Sequence, residues 1–599
     1  MIIKEKIKKN YKYILVLMVI TLIFALLPLV IIIARHDVFG NEPLLAFNAY
    51  GNGAVYYDSR IREIKDGFPF LGNPWFLEYN SKIAPAFLAA DWIQAVPLLL
   101  GLSFGVATLV SFLFWSLVFV FLAYAILNEL ELPSRWNIIG VIISYISVYS
   151  LMLGPVSMQI VFPFLLLFLL AFIMWLKNPH SRFTIIFLIL SSSFSFYIYT
   201  YLWQAVLTII FLTILFLFYT KNKNEFFKLL IVALTSLILA IPLIVFTVKQ
   251  VTNIYYWESM TRTGFINTHW PAAEAYYSGR WILVMLILWA LLWHWTKEYR
   301  DHRIYKLCFL FFSMTGIGFE IVSLSNVITG KELELAGHVV RFITVWLALS
   351  LTAFVFFVWD SRKSLRNITL PKKIVIIILL GVCFYGVWQY AQSYFFMTGR
   401  IATTKQNLDL ADYREPLQWL EDNVSEPAVI WVNYREKIND YVTILTKHYV
   451  LFNGDGILHF LSNQEAEERY LVAGYMNDIK QSDIEKEYEW YAGIGNSIHP
   501  YKLHNRKTKL CRLLFLDSLG YNCGELTDAV SLKGKEYFAN LYQRYNEEIV
   551  PNINEELRKL QVTYIIEDKE CQSNFQPLLL ENTALVYENH RFLIYEINR

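Results

Sequence analysis

The stretch Met1–Asp37, MIIKEKIKKNYKYILVLMVITLIFALLPLVIIIARHD, sets five lysines before an uncharged run from Tyr13 to Ala34. About twenty apolar residues in a helix cross the hydrocarbon of a bilayer. This run is too long for a signal-peptide core and no small-residue cleavage site follows, so it is expected to stay as a signal anchor. Lysines favour the inside, which places Arg35 onward outside.

Working outward, apolar runs of similar length recur to Gln392 and then stop. With 56% hydrophobic residues and a mean hydropathy of +0.40 across 599 residues, the chain is too apolar for one soluble globule. Spans are expected near 86–128 (an interfacial or re-entrant piece, then a full span from about Phe104), 136–153, 155–176, 183–200, 202–219, 228–248, 280–297, 304–325, 338–358 and 373–395. With the first run this gives about eleven transmembrane helices and an extracytoplasmic C-terminus. Alternate loops support the register: NELELPSRWN, KNPHSR, TKNKNEFFK, WTKEYRDHRIYK and DSRKSLRNITLPKK all carry lysine or arginine. The count hinges on a turn within SFYIYTYLWQ (195–204), because losing one span there returns the tail to the cytoplasm.

The expected organisation is a membrane domain, 1–396, with large outer loops 35–85 and 249–279, followed by a soluble extracytoplasmic α/β domain, 397–599. In the tail PAVIWVNY, YVLFNG, VTYIIED, ALVYENH and RFLIYEI read as strands, and the segments between them have helical period. A net charge of +2 is close to neutral and argues against a nucleic-acid partner, which would usually show a concentrated basic face. Cys308 and Cys383 fall in apolar segments, whereas Cys511, Cys523 and Cys571 lie in the tail, where Cys511 and Cys523 are able to pair in an oxidising compartment.

Loops that only connect helices need few residues, so loops of this length call for another role. In the first, AVYYDSRIREIKDGFPFLGNPWF (54–76) reads as a short amphipathic helix with Ile61, Ile64 and Phe68 on one stripe and Arg62, Lys65 and Asp66 opposite, lying along the membrane surface. Asp58 is either its N-cap or an acid facing a cavity. The second outer loop gathers Glu258, Arg262, His269, Glu274 and Arg280 among aromatic rings; Arg262 suits a phosphate because its donors form a planar fork. Near the last outer turn, Glu332 and Glu334 precede His338 and Arg341, which share a helix face at the edge of a span. Such a pair is expected to face a polar cavity, with Arg341 holding an anionic headgroup, unless Arg341 simply snorkels to the interface. Asp455, between two glycines in FNGDGILHF, reads as a turn. No zinc spacing, phosphate loop, dinucleotide glycine motif or serine elbow is present.

The layout resembles the GT-C superfamily of membrane glycosyltransferases, which includes oligosaccharyltransferase catalytic subunits, protein mannosyltransferases and lipid A aminoarabinose transferases. The likeness rests on the lysine-rich start and first span, the large outer loop with an acid before SRIREIKDGFPF, the many spans and the outer C-terminal domain. It implies a transferase in the cell membrane, part of the cell envelope, that takes a sugar from a polyprenyl-phosphate donor to a glycan, lipid or protein acceptor on the outer face. It also implies Asp58 as catalytic base or metal-site residue; Glu258, Arg262, His269, His338 and Arg341, read from the loops themselves, are the expected substrate-binding residues. A divalent cation, Mg or Mn, would draw on Asp58, Asp37 and Glu258. The family's paired acids are missing, since Ser59 and Arg60 follow Asp58, and EYEWYAGIG does not match the Trp-Trp-Asp-Tyr-Gly signature of oligosaccharyltransferases. Two other readings compete: a non-catalytic membrane scaffold or glycan-binding envelope protein, and a lipid-linked glycan flippase, which would show charged, broken helices in mid-bilayer.

Overall fold

The computed structural model describes residues 2–598 except 52, 86–88, 296–302, 333–334, 362–369, 405–409, 529, 572–574, 576, 578–579 and 581. Parts of the expected inside loops at 295–306 and 360–373, and Glu334, therefore lie outside the described residues, as does the side chain of Glu274. The chain packs as two units. The first comprises Met1–Tyr57, Phe87–Val245 and Thr268–Leu408, and the second Asp58–Ala86, Phe246–Asn267 and Asp409–Arg599. Much of both large outer loops thus packs with the C-terminal residues, where the sequence division placed them with the spans.

In the first unit, eight helices among the described residues are long and apolar enough to cross a membrane: Tyr11–Ala34, Phe104–Glu129, Ser134–Met152, Met158–Lys177, Thr200–Tyr219, Arg303–Ser323, His338–Asp360 and Lys373–Thr403. A pair bent by 51°, Lys223–Leu239 with Ile241–Val251, makes a ninth if it is one span. Its break, at Ala240, lies just before Pro242, which has no N–H to give to the carbonyl one turn back. Arg182–Ile198 and Gly279–His294 are apolar but shorter, so the expected eleven spans reduce to eight or nine by length and composition. The turn in SFYIYTYLWQ is a single extended residue, Tyr199 (φ −162°, ψ 133°), between the helices Arg182–Ile198 and Thr200–Tyr219.

Hydrocarbon gives helices little hydrophobic reason to associate, so close approach and interhelical hydrogen bonds matter more. A Cβ on Gly140 would lie 2.6 Å from Thr352 Cγ2, which only the bare backbone allows. Trp289 Nε1 donates to Ser350 Oγ at 3.0 Å, Gln94 to Gln159 at 2.7 Å and Tyr145 to Ser116 at 3.1 Å, each pair bridging two helices.

The second unit is built on a five-stranded sheet of β1 (Val429–Val432), β2 (Tyr449–Val450), β3 (Val562–Asp568), β4 (Thr583–Glu588) and β5 (Phe592–Ile597) in the order β2-β1-β3-β5-β4. β1 runs parallel to β2 and β3, and all four of its residues are buried, as expected of a strand covered on both faces. β5 is antiparallel to β3 and β4. All five strands expected from the sequence form.

The helix Ala54–Lys65 departs from expectation. Asp58, Ser59, Arg60 and Ile61 are each 1% exposed, and Arg62 and Glu63 are also buried, so this is no helix lying half in water. Its charges are satisfied by distant chain: Arg62 pairs with Asp66 and with Glu421 at 2.8 Å, and Tyr449 donates to Glu63 at 3.1 Å. Burial raises the Glu63 carboxyl well above its ordinary range, which favours its protonated form against Tyr449. The chain then turns at Gly72, where a Cβ would sit 2.0 Å from the Tyr79 carbonyl, and Asn73 donates to the Gly456 carbonyl at 2.9 Å.

Arg262 closes this unit. It is fully buried and donates from Nε to Ile457 O (2.6 Å), from Nη1 to Asn463 Oδ1 (2.6 Å), and from Nη2 to His459 O (3.0 Å) and Leu461 O (2.7 Å). Lysine offers one point charge in place of this fork. Arg262→Lys should therefore cost about 3 kcal/mol, the penalty for buried carbonyls left short of donors. A lower melting midpoint of the intact purified protein and faster proteolysis within 409–599 would register it; an unchanged midpoint would mean that the fork is dispensable.

Candidate functional site

In the first unit, the helix Leu335–Asp360 carries His338 in its first turn and Arg341 three residues on. The His338 Nδ1 and the Tyr199 hydroxyl share a short hydrogen bond, and the two rings stack at 10° with centroids 6.0 Å apart. Tyr201 meets the imidazole edge-on at 5.2 Å and Tyr199 at 4.8 Å. The extended backbone at Tyr199 is what lets rings at 199 and 201 flank one imidazole. A Tyr199 hydroxyl that donates to Nδ1 would place the ring proton on Nε2.

Arg341 is half-buried and makes no hydrogen bond or ion pair among the described residues. A guanidinium near the edge of an apolar span, close to a helix N-terminus that itself favours negative charge, is a setting for an anion. Farther along the same helix, Ala348, Leu351, Thr352 and Val355 line an apolar groove of 610 Å³ with Ile143, Trp388 and Phe395 from neighbouring helices. Residues 341, 348, 352 and 355 fall on one stripe at helical spacing, and Ala348 lies two turns, about 10 Å, from Arg341. A charged head position and an apolar channel therefore share one helix face.

The other sequence candidates of this unit lie apart from that stripe. His269 is exposed, hydrogen-bonds through Nδ1 to Val327 O at 3.0 Å and lies against Gly330. Asp37 is exposed in the short helix His36–Phe39. Beside it, Arg35 caps the long helix Leu370–Thr403 by donating to the carbonyls of Ile401 and Ala402.

Asp58, Glu258 and Arg262 belong to the second unit. Asp58 is no N-cap, since its helix begins at Ala54. Its carboxylate lies close enough to Tyr441 to help raise that phenol, after burial, which is the larger cause. Glu258 accepts the Asn463 N–H at 2.5 Å and lies 4.0 Å from Arg262. The Arg262 fork expected to hold a phosphate is instead spent on the unit's own carbonyls.

Among the described residues, Asp58 and Glu258 fall in no group close enough to share an ion. Among the described residues, the group of acids, histidines and cysteines close enough to share an ion is Glu436, Asp568 and Cys571, and Arg591 already donates to Asp568 there at 2.7 Å.

The sequence reading missed Tyr199 and Tyr201, whose aromatic signal at a span end is the same as that of an interfacial anchor. It also missed the partner of Asp455. This residue does form the expected turn, its N–H donating to Asn453 Oδ1 at 2.8 Å, and the same Asn453 donates to Asp440 at 2.9 Å. Burial, and then the charge of Asp440, push Asp455 up to about 7. Burial pushes Asp440 up to about 6, against the opposing pull of Asn453 and Lys437.

Two comparisons give no match: no family model fits the chain, and no curated protein matches its sequence. Among solved structures, the chain is similar to an oligosaccharyltransferase of Archaeoglobus fulgidus, crystallised with a tethered acceptor peptide containing the NVT sequon. The identity is 10% and the TM-score 0.41, over 94% of this chain and 69% of that one.

The raised carboxyls make a pH prediction. A carboxyl with a folded pKa near 7 and an ordinary value of 3.8 holds its proton in the native state after the unfolded chain has lost it. Its contribution is full below the ordinary value and is lost as pH rises through the folded one. From about pH 4 to about pH 8 the melting midpoint of Asp455→Asn should gain steadily on that of the unsubstituted protein, because asparagine never ionises. Parallel profiles would remove Asp455 as a titrating group.

Proposed function

We propose that the chain is an integral membrane glycosyltransferase of the GT-C kind, which passes a sugar from a polyprenyl-phosphate carrier to an acceptor on the outer face. The observation that carries this reading is Arg341, a guanidinium with no protein partner among the described residues, set beside His338 and in line with an apolar groove. A lipid phosphate has that chemistry: an anion at one end and a hydrocarbon chain at the other.

In the reaction, the bond from the sugar anomeric carbon to the carrier phosphate breaks and a bond to the acceptor oxygen forms. The acceptor proton passes to a carboxylate, a role that the resemblance gives to Asp58. The departing phosphate takes the electron pair, and its charge is met by Arg341, with His338 as a second donor. Leaving-group stabilisation is assigned here to the guanidinium. The Cys511–Cys523 disulfide supports an outer location for the second unit, since such bonds persist in oxidising compartments. The positively charged loops KNPHSR and TKNKNEFFK support the same orientation.

A second reading keeps the lipid phosphate and drops the chemistry. It is favoured by Asp58, which at 1% exposure is a poor base for an incoming hydroxyl. The chain would then bind carrier-linked glycans as a scaffold.

Reconstituted protein and a radiolabelled sugar on polyprenyl phosphate separate the two. Arg341→Gln should lower transfer by about a hundredfold, the usual loss when a donor to a developing oxyanion is removed. Asp58→Asn should abolish transfer without weakening carrier binding. Carrier binding that needs Arg341, with no transfer by the unsubstituted protein, would establish the scaffold; binding and transfer indifferent to Arg341 would sink both.

A further inference from the structure

The second unit contains a surface that neither reading uses. The helix His499–Leu513 runs into a hairpin closed by the Cys511–Cys523 disulfide. At its tip Leu513, Leu514, Phe515, Leu519 and Tyr521 are 72%, 54%, 75%, 72% and 64% exposed. A soluble surface rarely gathers so many large apolar side chains at one place without a partner for them.

The hairpin is held firmly behind that tip. Arg512 Nε donates to Cys523 O at 3.0 Å, Thr508 donates to Gly524 O at 3.1 Å, and Asn505 both donates to Leu526 O and accepts its N–H. Phe515 stands in the left-handed region at φ 57°, a conformation that costs a non-glycine residue energy. Its carbonyl accepts the Ser518 N–H, and its own N–H donates to Arg512 O, so the strained residue sits inside a bonded turn. The apolar tip is therefore presented by a fixed scaffold.

Charge indicates what covers it. Between His499 and Arg512 the helix carries Lys502, Arg506, Lys507, Lys509 and Arg512 and no acid. Lys502, Lys507 and Lys509 are exposed. Leucine, phenylalanine and tyrosine flanked by lysine and arginine is the pattern of a segment that dips its apolar part into the acyl boundary while its cations meet anionic headgroups.

We propose that the stapled hairpin 511–523 is a lipid anchor, with its tip inserted in a membrane surface and the basic helix His499–Leu513 paired with anionic headgroups. This inference stands apart from the transferase reading and holds for a scaffold equally.

Photocrosslinking on the full chain in nanodiscs tests it. Benzoylphenylalanine replaces Phe515 or Leu519, with exposed Lys533 as the control position. Lipid adducts are expected at 515 and 519 and not at 533, with higher yield in phosphatidylglycerol than in phosphatidylcholine. Lys507→Glu and Lys509→Glu should each lower the yield in phosphatidylglycerol by about fivefold, with melting of the protein unchanged. Reduction of the disulfide should lower it further. Adducts to a second polypeptide in place of lipid, or yields at 515 and 519 no higher than at 533, would overturn the proposal.

Discussion

One buried guanidinium decides whether the second unit exists as a unit. Arg262 joins chain from an outer loop to residues 195 to 201 positions away, and it does so through four hydrogen bonds at once. A positive charge inside protein is tolerated only when its donors are filled, and the carbonyls at 457, 459 and 461 fill most of them. Burial still pushes the guanidinium down to about 10, with Glu258 and then Glu465 pulling the other way, so it remains charged at neutral pH. That charge acts on its neighbours. His459 is buried, and burial with the positive charges of Arg60 and Arg262 lowers its imidazole to about 3. The neutral ring holds Gly72 O through Nδ1 at 2.6 Å and meets Trp75 edge-on. The turn from the first outer loop is thus locked by a histidine whose neutrality depends in part on an arginine from the second.

This arrangement explains which parts of the molecule the sequence could reveal. Apolar spans and strands are local patterns. The runs at Tyr11–Ala34 or Met158–Lys177 and the buried strand Val429–Val432 announce themselves within their own residues. Ala54–Lys65 does not. Its stripe of Ile61, Ile64 and Phe68 suits a surface helix, and only contacts such as Ser59 to Thr443 at 2.7 Å and Arg62 to Glu421 turn its polar face inward. Those partners lie about 360 to 380 residues away, and periodicity carries no information about them. The span count met a different limit, since Arg182–Ile198 and Gly279–His294 are apolar enough but short, and hydropathy alone gives no sharp edge at that length.

The candidate site was half legible for a related reason. His338 and Arg341 were visible because three-residue spacing fixes a shared helix face whatever surrounds it. Tyr199 was not, because its part depends on one extended residue breaking a helix, and a tyrosine at that position reads equally well as an interfacial anchor. Arg262 shows the converse error. Aromatic and ionisable neighbours in sequence suggested a ligand site, yet the same composition serves a folded unit whose polar groups satisfy one another.

The distinction between a used and an unused arginine then becomes a physical criterion. Arg62, Arg262, Arg469 and Arg591 each have at least two protein acceptors or carboxylates at hydrogen-bond distance, so removing any of them breaks structure first. Arg341 has none among the described residues, although a half-buried position at the end of a span makes an unmet guanidinium costly. Among the described residues nothing meets that charge, and its helix face continues to Ala348 and Thr352, which line an apolar groove. On the reading proposed above, an anion with an apolar tail would meet both the half-buried guanidinium and the groove below it.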